Sequence, residues 1–151
     1  MALIPQFTQA EIKARIDNFI KVIEKRQIQR LQYLGEQCVR NARMNGDYMD
    51  QTGNLRSSVG YILFKNGIAL HQSFEQVGTG STGTNQGRSV AIKAGSKYNE
   101  GICLVVVAGM NYALHVEAKG RDVLTSTELF AKQEMPKILA ELKNNINSAL
   151  E

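Results

Sequence analysis

Tryptophan is absent from the 151 residues, aromatic side chains make up 7%, and histidine, cysteine and proline occur only twice each. Each shortage removes a class of function. With so few rings the chain offers no platform on which successive bases would stack. The histidines, His71 and His115, and the cysteines, Cys38 and Cys103, lack the close spacing of a zinc site, so no metal and no cofactor is expected. The cysteines fall in a helical pattern and an apolar strand pattern. Both are expected as small buried hydrophobes in a reducing cytoplasm, without a disulfide framework. No run of roughly eighteen apolar residues occurs, so no membrane span is expected. The opening Met1-Ala2-Leu3-Ile4-Pro5 has no basic stretch, no long apolar core and no small-residue cleavage site, and a secretory signal is not expected. Serines are plentiful, but none stands on a Gly-x-Ser-x-Gly elbow, and no catalytic residue is assigned.

What is present is a 43% hydrophobic content, enough for one core in a chain of single-domain size, 1–151. The net charge of +4 permits contact with nucleic acid without demanding it.

The first segment predicts a long helix. Thr8-Gln9-Ala10-Glu11 spells a capping box. Ile12, Ile16, Phe19, Ile20 and Ile23 follow at steps of three and four, and the face resumes at Leu31, Leu34, Cys38 and Ala42. Asn45-Gly46 is expected as a left-handed cap. The pattern weakens at Lys25-Arg26-Gln27. Unbroken, residues 8 to 44 would span roughly 55 Å, against a diameter of about 40 Å for a compact domain of this size. Such a helix overhangs its own domain, and part of its apolar stripe is expected to pack on a neighbouring subunit.

Asp47 to Ser58 is expected as a loop with a helical turn around Thr52–Arg56. Tyr61–Phe64, the type I′ signal Asn66-Gly67 and Ile68–His71 predict a hairpin. The stretch of about 78–101, rich in glycine, serine and threonine, is expected as a flexible loop that orders on assembly. Its Gly78-Thr79-Gly80-Ser81-Thr82-Gly83 fits no phosphate-binding pattern. The apolar run Ile102–Ala108 predicts a central strand covered on both faces. Tyr112–Glu117 is short and amphipathic, and Lys119-Gly120-Arg121 is a turn. Thr125–Glu128 spells a second capping box ahead of a terminal helix, which Pro136 should kink or restart. The fold class is therefore α+β: a long N-terminal helix, a small mostly antiparallel sheet with a hairpin, and a C-terminal helix packed on it. The helices are expected on one face of the sheet, the other belonging to a partner.

The sharpest enzymatic hint is Glu117-Ala118-Lys119. A metal-dependent nuclease can use such a pair, the carboxylate holding Mg²⁺ and the lysine assisting an activated water. The tripeptide is short, and the only acidic residue near the preceding strand is Glu100. The first helix mixes Lys13, Arg15, Lys21, Lys25, Arg26, Arg30, Arg40 and Arg43 with Glu11, Asp17, Glu24 and Glu36, the pattern of a solvated face. Arg88, Lys93 and Lys97 are placed to approach DNA phosphates, or simply to keep their segment soluble.

Two stretches carry a resemblance. Asp50-Gln51-Thr52-Gly53-Asn54-Leu55-Arg56-Ser57-Ser58 resembles the T-G-x-L-R-x-S stretch of small neck or tail-completion proteins of long-tailed bacteriophages and prophages. Met110-Asn111-Tyr112-Ala113-Leu114-His115-Val116-Glu117-Ala118-Lys119-Gly120 is similar to that family's Y-A-x-x-V-E-x-G stretch, with Lys119 as an extra residue. The order of elements is similar across nearly the whole chain, which departs from the family's shorter forms in its long first helix and its glycine-rich segment. The resemblance implies a non-enzymatic virion protein of the head–tail connector, made in the bacterial cytoplasm. Such a protein works as a homo-oligomeric ring between portal-side and tail proteins, with DNA passing through its channel without sequence-specific binding. The assembly candidates are Gly53 for a tight turn, Leu55 as its anchor, Arg56 as a partner, within or between subunits, for a carboxylate such as Glu117, Tyr112 as a packed ring with its hydroxyl at an edge, and Arg88. A Mg²⁺-dependent nuclease on Glu117 and Lys119, or a DNA-binding module, is the alternative.

Overall fold

The computed structural model describes residues 2–4 and 6–150; Met1 and Pro5 of the opening segment and Glu151 lie outside the described residues. Helix α1 runs unbroken from Gln9 to Asn45, so the weak stretch at Lys25-Arg26-Gln27 does not interrupt it. Its capping box forms as the sequence predicts: Thr8 Oγ1 accepts from the Glu11 N–H at 3.2 Å, and the Glu11 carboxylate accepts from the Thr8 N–H at 3.3 Å. The far end differs from expectation. Gly46 has φ −60° and ψ 109°, an extended and not a left-handed cap, and its N–H closes on the Ala42 carbonyl. A Cβ there would sit 2.7 Å from the Tyr48 ring, so glycine is needed for the close passage of Tyr48.

A four-residue helix, α2 (Asn54–Ser57), leads into strand β1 (Val59–Lys65). Asn66 and Gly67, at φ 51° and 81°, turn the chain into β2 (Ile68–Ser73), both in the left-handed region that a type I′ hairpin requires. Strand β3 (Ile102–Ala108) pairs antiparallel with the other side of β1, giving the order β2-β1-β3. The central strand is thus β1 and not the apolar run at 102–108. Val59 through Phe64 are buried on both faces, whereas β3 is an edge strand whose residues are mostly half-buried.

Residues 83–95, expected as part of a flexible loop, form helix α3 (Gly83–Gly95). Its buried residues are Gly83, Gly87, Ala91 and Gly95, one face at steps of four. Glycine in a helix costs about 1 kcal/mol against alanine. Here it removes the side chain that would hold the helix off the sheet: a Cβ on Gly95 would lie 2.1 Å from the Phe64 ring. α3 therefore supplies the cover expected from a partner. Ile62, Phe64 and Val107 pack under Ala91 on that face. On the other face Leu63 meets Leu31, Leu34 and Cys38 of α1. The helices lie on both faces, not one, and Cys38 and Cys103 are separated by the sheet.

A short helix, α4 (Ala113–Ala118), precedes α5 (Thr125–Leu150), which continues through an exposed Pro136 without a new start. Phe130, Ala131 and Ile138 of α5 pack on the cluster shared by α1 and the sheet, and Arg30 pairs with Glu141. The second capping box is not formed. Glu128 turns instead to Lys132 at 2.7 Å, and the start of α5 is held by carboxylates from outside the helix. Among the described residues no helix is long and apolar enough to cross a membrane.

Candidate functional site

The Thr-Gly stretch builds a junction between distant segments. The Asp50 carboxylate accepts from the Gly53 N–H at 3.1 Å and the Arg56 N–H at 2.8 Å, which fixes the turn and starts α2. Gly53 stands at φ 79°, and a Cβ there would fall 1.8 Å from the Val77 carbonyl oxygen. Backbone and space both require glycine. Ser57 Oγ accepts from the Val77 N–H at 2.7 Å. Asn54 Oδ1 accepts from the N–H groups of Thr82 and Gly83, at 3.2 and 3.1 Å, holding the start of α3. Ser58 Oγ accepts from the Met110 N–H at 3.3 Å and donates to the Leu55 carbonyl at 2.7 Å.

The Tyr-Ala stretch closes the same junction from the other side. Leu55 is buried with Ala113, Val123 and Tyr48. Burial, and then the charge of Asp50, raises the Tyr112 hydroxyl above its ordinary pKa. The structure thus brings Gly53, Leu55 and Arg56 together with the Tyr112 stretch. Within the subunit it does not pair Arg56 with Glu117. The Arg56 guanidinium lies 4.6 Å from the Tyr48 ring centre and donates to the Gly46 carbonyl at 2.9 Å. It closes the end of α1 onto α2, and the Tyr48 hydroxyl beneath is buried without a hydrogen-bond partner among the described residues.

Glu117 sits apart, at the start of α5. One carboxylate oxygen accepts from the Leu124 N–H at 3.1 Å, from the Thr125 N–H at 2.7 Å and from the Thr125 hydroxyl. Burial works to raise its pKa, but the hydrogen bonds from Thr125, Leu124 and Val123 together outweigh it and hold the carboxyl below its ordinary value. Arg88, on α3, donates to Gln72 of β2 at 3.1 Å and faces the Phe74 ring. His71 and His115 are exposed on β2 and α4. Among the described residues no group of three or more His, Cys, Asp or Glu side chains converges as a metal-ligand set.

A second region lies at the opposite end of α1. The sheet ends where Lys65 meets Glu24 at 2.8 Å, and the helix continues beyond it toward Gln9, a further ~22 Å. Phe19 and Ile23 turn toward Leu142 and Ile146 of α5 around a cleft of about 300 Å³. Ile12, Ile16 and Ile20, at steps of four, stay 42%, 53% and 47% exposed. Phe7 shares a cleft with Ile12 and Ile16, and the three isoleucines still form an exposed strip of the kind that marks a contact surface. Sequence spacing marked the stripe. Asp50, Ser57 and Ser58, which hold the junction together, lie inside the Thr-Gly stretch but are not among the assembly candidates its resemblance implies. Their signal is Asp three residues ahead of a glycine, the pattern of a side chain that caps its own turn. Compared with family models, with curated proteins and with solved structures, the chain matches none.

Proposed function

We propose that this protein is a structural subunit of a phage head–tail connector that self-associates into a ring joining the DNA-filled head to the tail. The observation that carries the reading is the overhang of α1, whose exposed isoleucine stripe extends beyond the sheet that covers the rest of the same helix. A helix of this kind reaches a neighbour without refolding. The phage context comes from the resemblance of the Thr-Gly and Tyr-Ala stretches, which meet in one junction here. Head-to-tail contacts between identical subunits generate a closed ring when the rotation closes, leaving a channel for DNA that requires no base-specific groups.

The test is light scattering over a wide concentration range with electron microscopy of the same samples. Rings are the expected result; a monomer at every concentration, with no particle in the images, would overturn the proposal. Mg²⁺-dependent DNA cleavage that disappears in Glu117→Ala would replace it with the nuclease reading. The three hydrogen bonds on Glu117 already give that carboxylate a role as the cap of α5.

A further inference from the structure

An apolar cleft of about 540 Å³ opens between α1, the edge strand β3 and α5, with Leu31, Leu34, Leu104, Val106, Ala131 and Met135 on its walls. This volume lies in the ordinary range of ligand pockets, ~300–1,000 Å³. Two features select its occupant. First, among the described residues the backbone of β3 pairs with β1 alone, so its outer edge presents free N–H and C=O groups beside the cleft. An extended segment laid along that edge gains backbone hydrogen bonds and sends alternate side chains into the cleft. Second, the chain carries an apolar segment with no place of its own. Ahead of α1, Leu3 and Ile4 are 97% and 82% exposed, outside any helix or strand, whereas Phe7 shares a cleft with Ile12 and Ile16 of its own helix.

That segment does not reach the cleft of its own molecule. From Gln9 to Leu31, where the α1 wall begins, the helix covers ~33 Å. Residues 2–7, fully extended, span at most ~22 Å. A second copy is free of this limit. Resting on the ring reading above, we infer that the apolar tip ahead of α1, Leu3 and Ile4, of one subunit adds in extended form to the β3 edge of the next. Leu3 enters the cleft, while Ile4 points to the side of Cys103 and Val105. The overhang of α1 carries the tip outward, and the exchange repeats head to tail.

The experiment mixes two mass-tagged full-length chains, one carrying Leu3→Cys and the other Met135→Cys, under mild oxidation. The expected product is a disulfide between tags, located by mass spectrometry and several-fold above a control with Tyr33→Cys, a residue 61% exposed and away from the cleft. In parallel, the double variant Leu3→Ser, Ile4→Ser is expected to keep the melting temperature and to weaken self-association at least about tenfold. No mixed disulfide above the control, or unchanged association of the double variant, overturns the exchange. Rings that form without the cross-link sink the exchange and leave the ring reading standing. Cross-linked pairs that never close into particles keep the exchange and sink the ring.

Discussion

Arg56 and Glu117 illustrate how neighbouring residues in a motif acquire separate work. Each belongs to a stretch that suggested pairing, yet Arg56 closes on the Gly46 carbonyl and the Tyr48 ring, while Glu117 caps α5. The Glu117 carboxyl is held below its ordinary value of 4.5. Because the folded-state value is the lower one, its stabilisation is complete above the unfolded value and is lost as the pH falls through the folded one. Glu117→Gln is expected to cost about 1 kcal/mol at neutral pH and to flatten the acid limb of stability, measured by urea unfolding between pH 7 and 3. A variant with an unchanged acid limb would contradict this assignment. Gly53 is the stricter position. Gly53→Ala meets both a positive φ and a backbone oxygen, and should lose at least ~2 kcal/mol by the same measurement. The need for glycine at 53 was legible from the sequence. The identity of its neighbour, the Val77 carbonyl, was not, because that contact depends on how a distant segment returns.

Elements with a strong period or turn code were legible: α1 from its steps of three and four, the hairpin from Asn66-Gly67, and α5 from its apolar face. Two others were misread for physical reasons. The apolar run at 102–108 suggested the centre of the sheet, but an edge strand half-buried between α1 and α3 also needs apolar side chains on both faces. Residues 83–95 suggested a loop because glycine is counted as a helix breaker. The informative feature was the spacing of Gly83, Gly87, Ala91 and Gly95, which puts the smallest residues on one helical face. Gly87→Ala decides between the two effects. Helix propensity alone predicts a gain of up to about 1 kcal/mol. The new Cβ would lie 2.4 Å from the Ser58 carbonyl oxygen and 2.7 Å from the Phe74 ring, and crowding of this kind costs about 1–3 kcal/mol. We expect a net loss, seen as a lower thermal midpoint; a rise would show that α3 does not depend on its glycine face.

The molecule as a whole divides into a covered end and an uncovered end. Near the sheet, α1 is buried at Leu34, Cys38 and Ala42; toward Gln9 it keeps isoleucines in water. Ile16→Ser should therefore leave the unfolding free energy within about 0.5 kcal/mol while reducing particle formation. Equal loss of both would place Ile16 in the fold instead of the interface. The covered end has a further consequence for the order in which the chain folds. The turns of α1 and the hairpin join near neighbours, but Ser58 and Met110 are 52 residues apart, and Asn41 and Thr127 are 86 apart. Closing such loops costs chain entropy before any contact repays it. The Ser58 bond is therefore expected to form late, and removing the Ser58 hydroxyl should quicken unfolding while leaving the folding rate nearly unchanged.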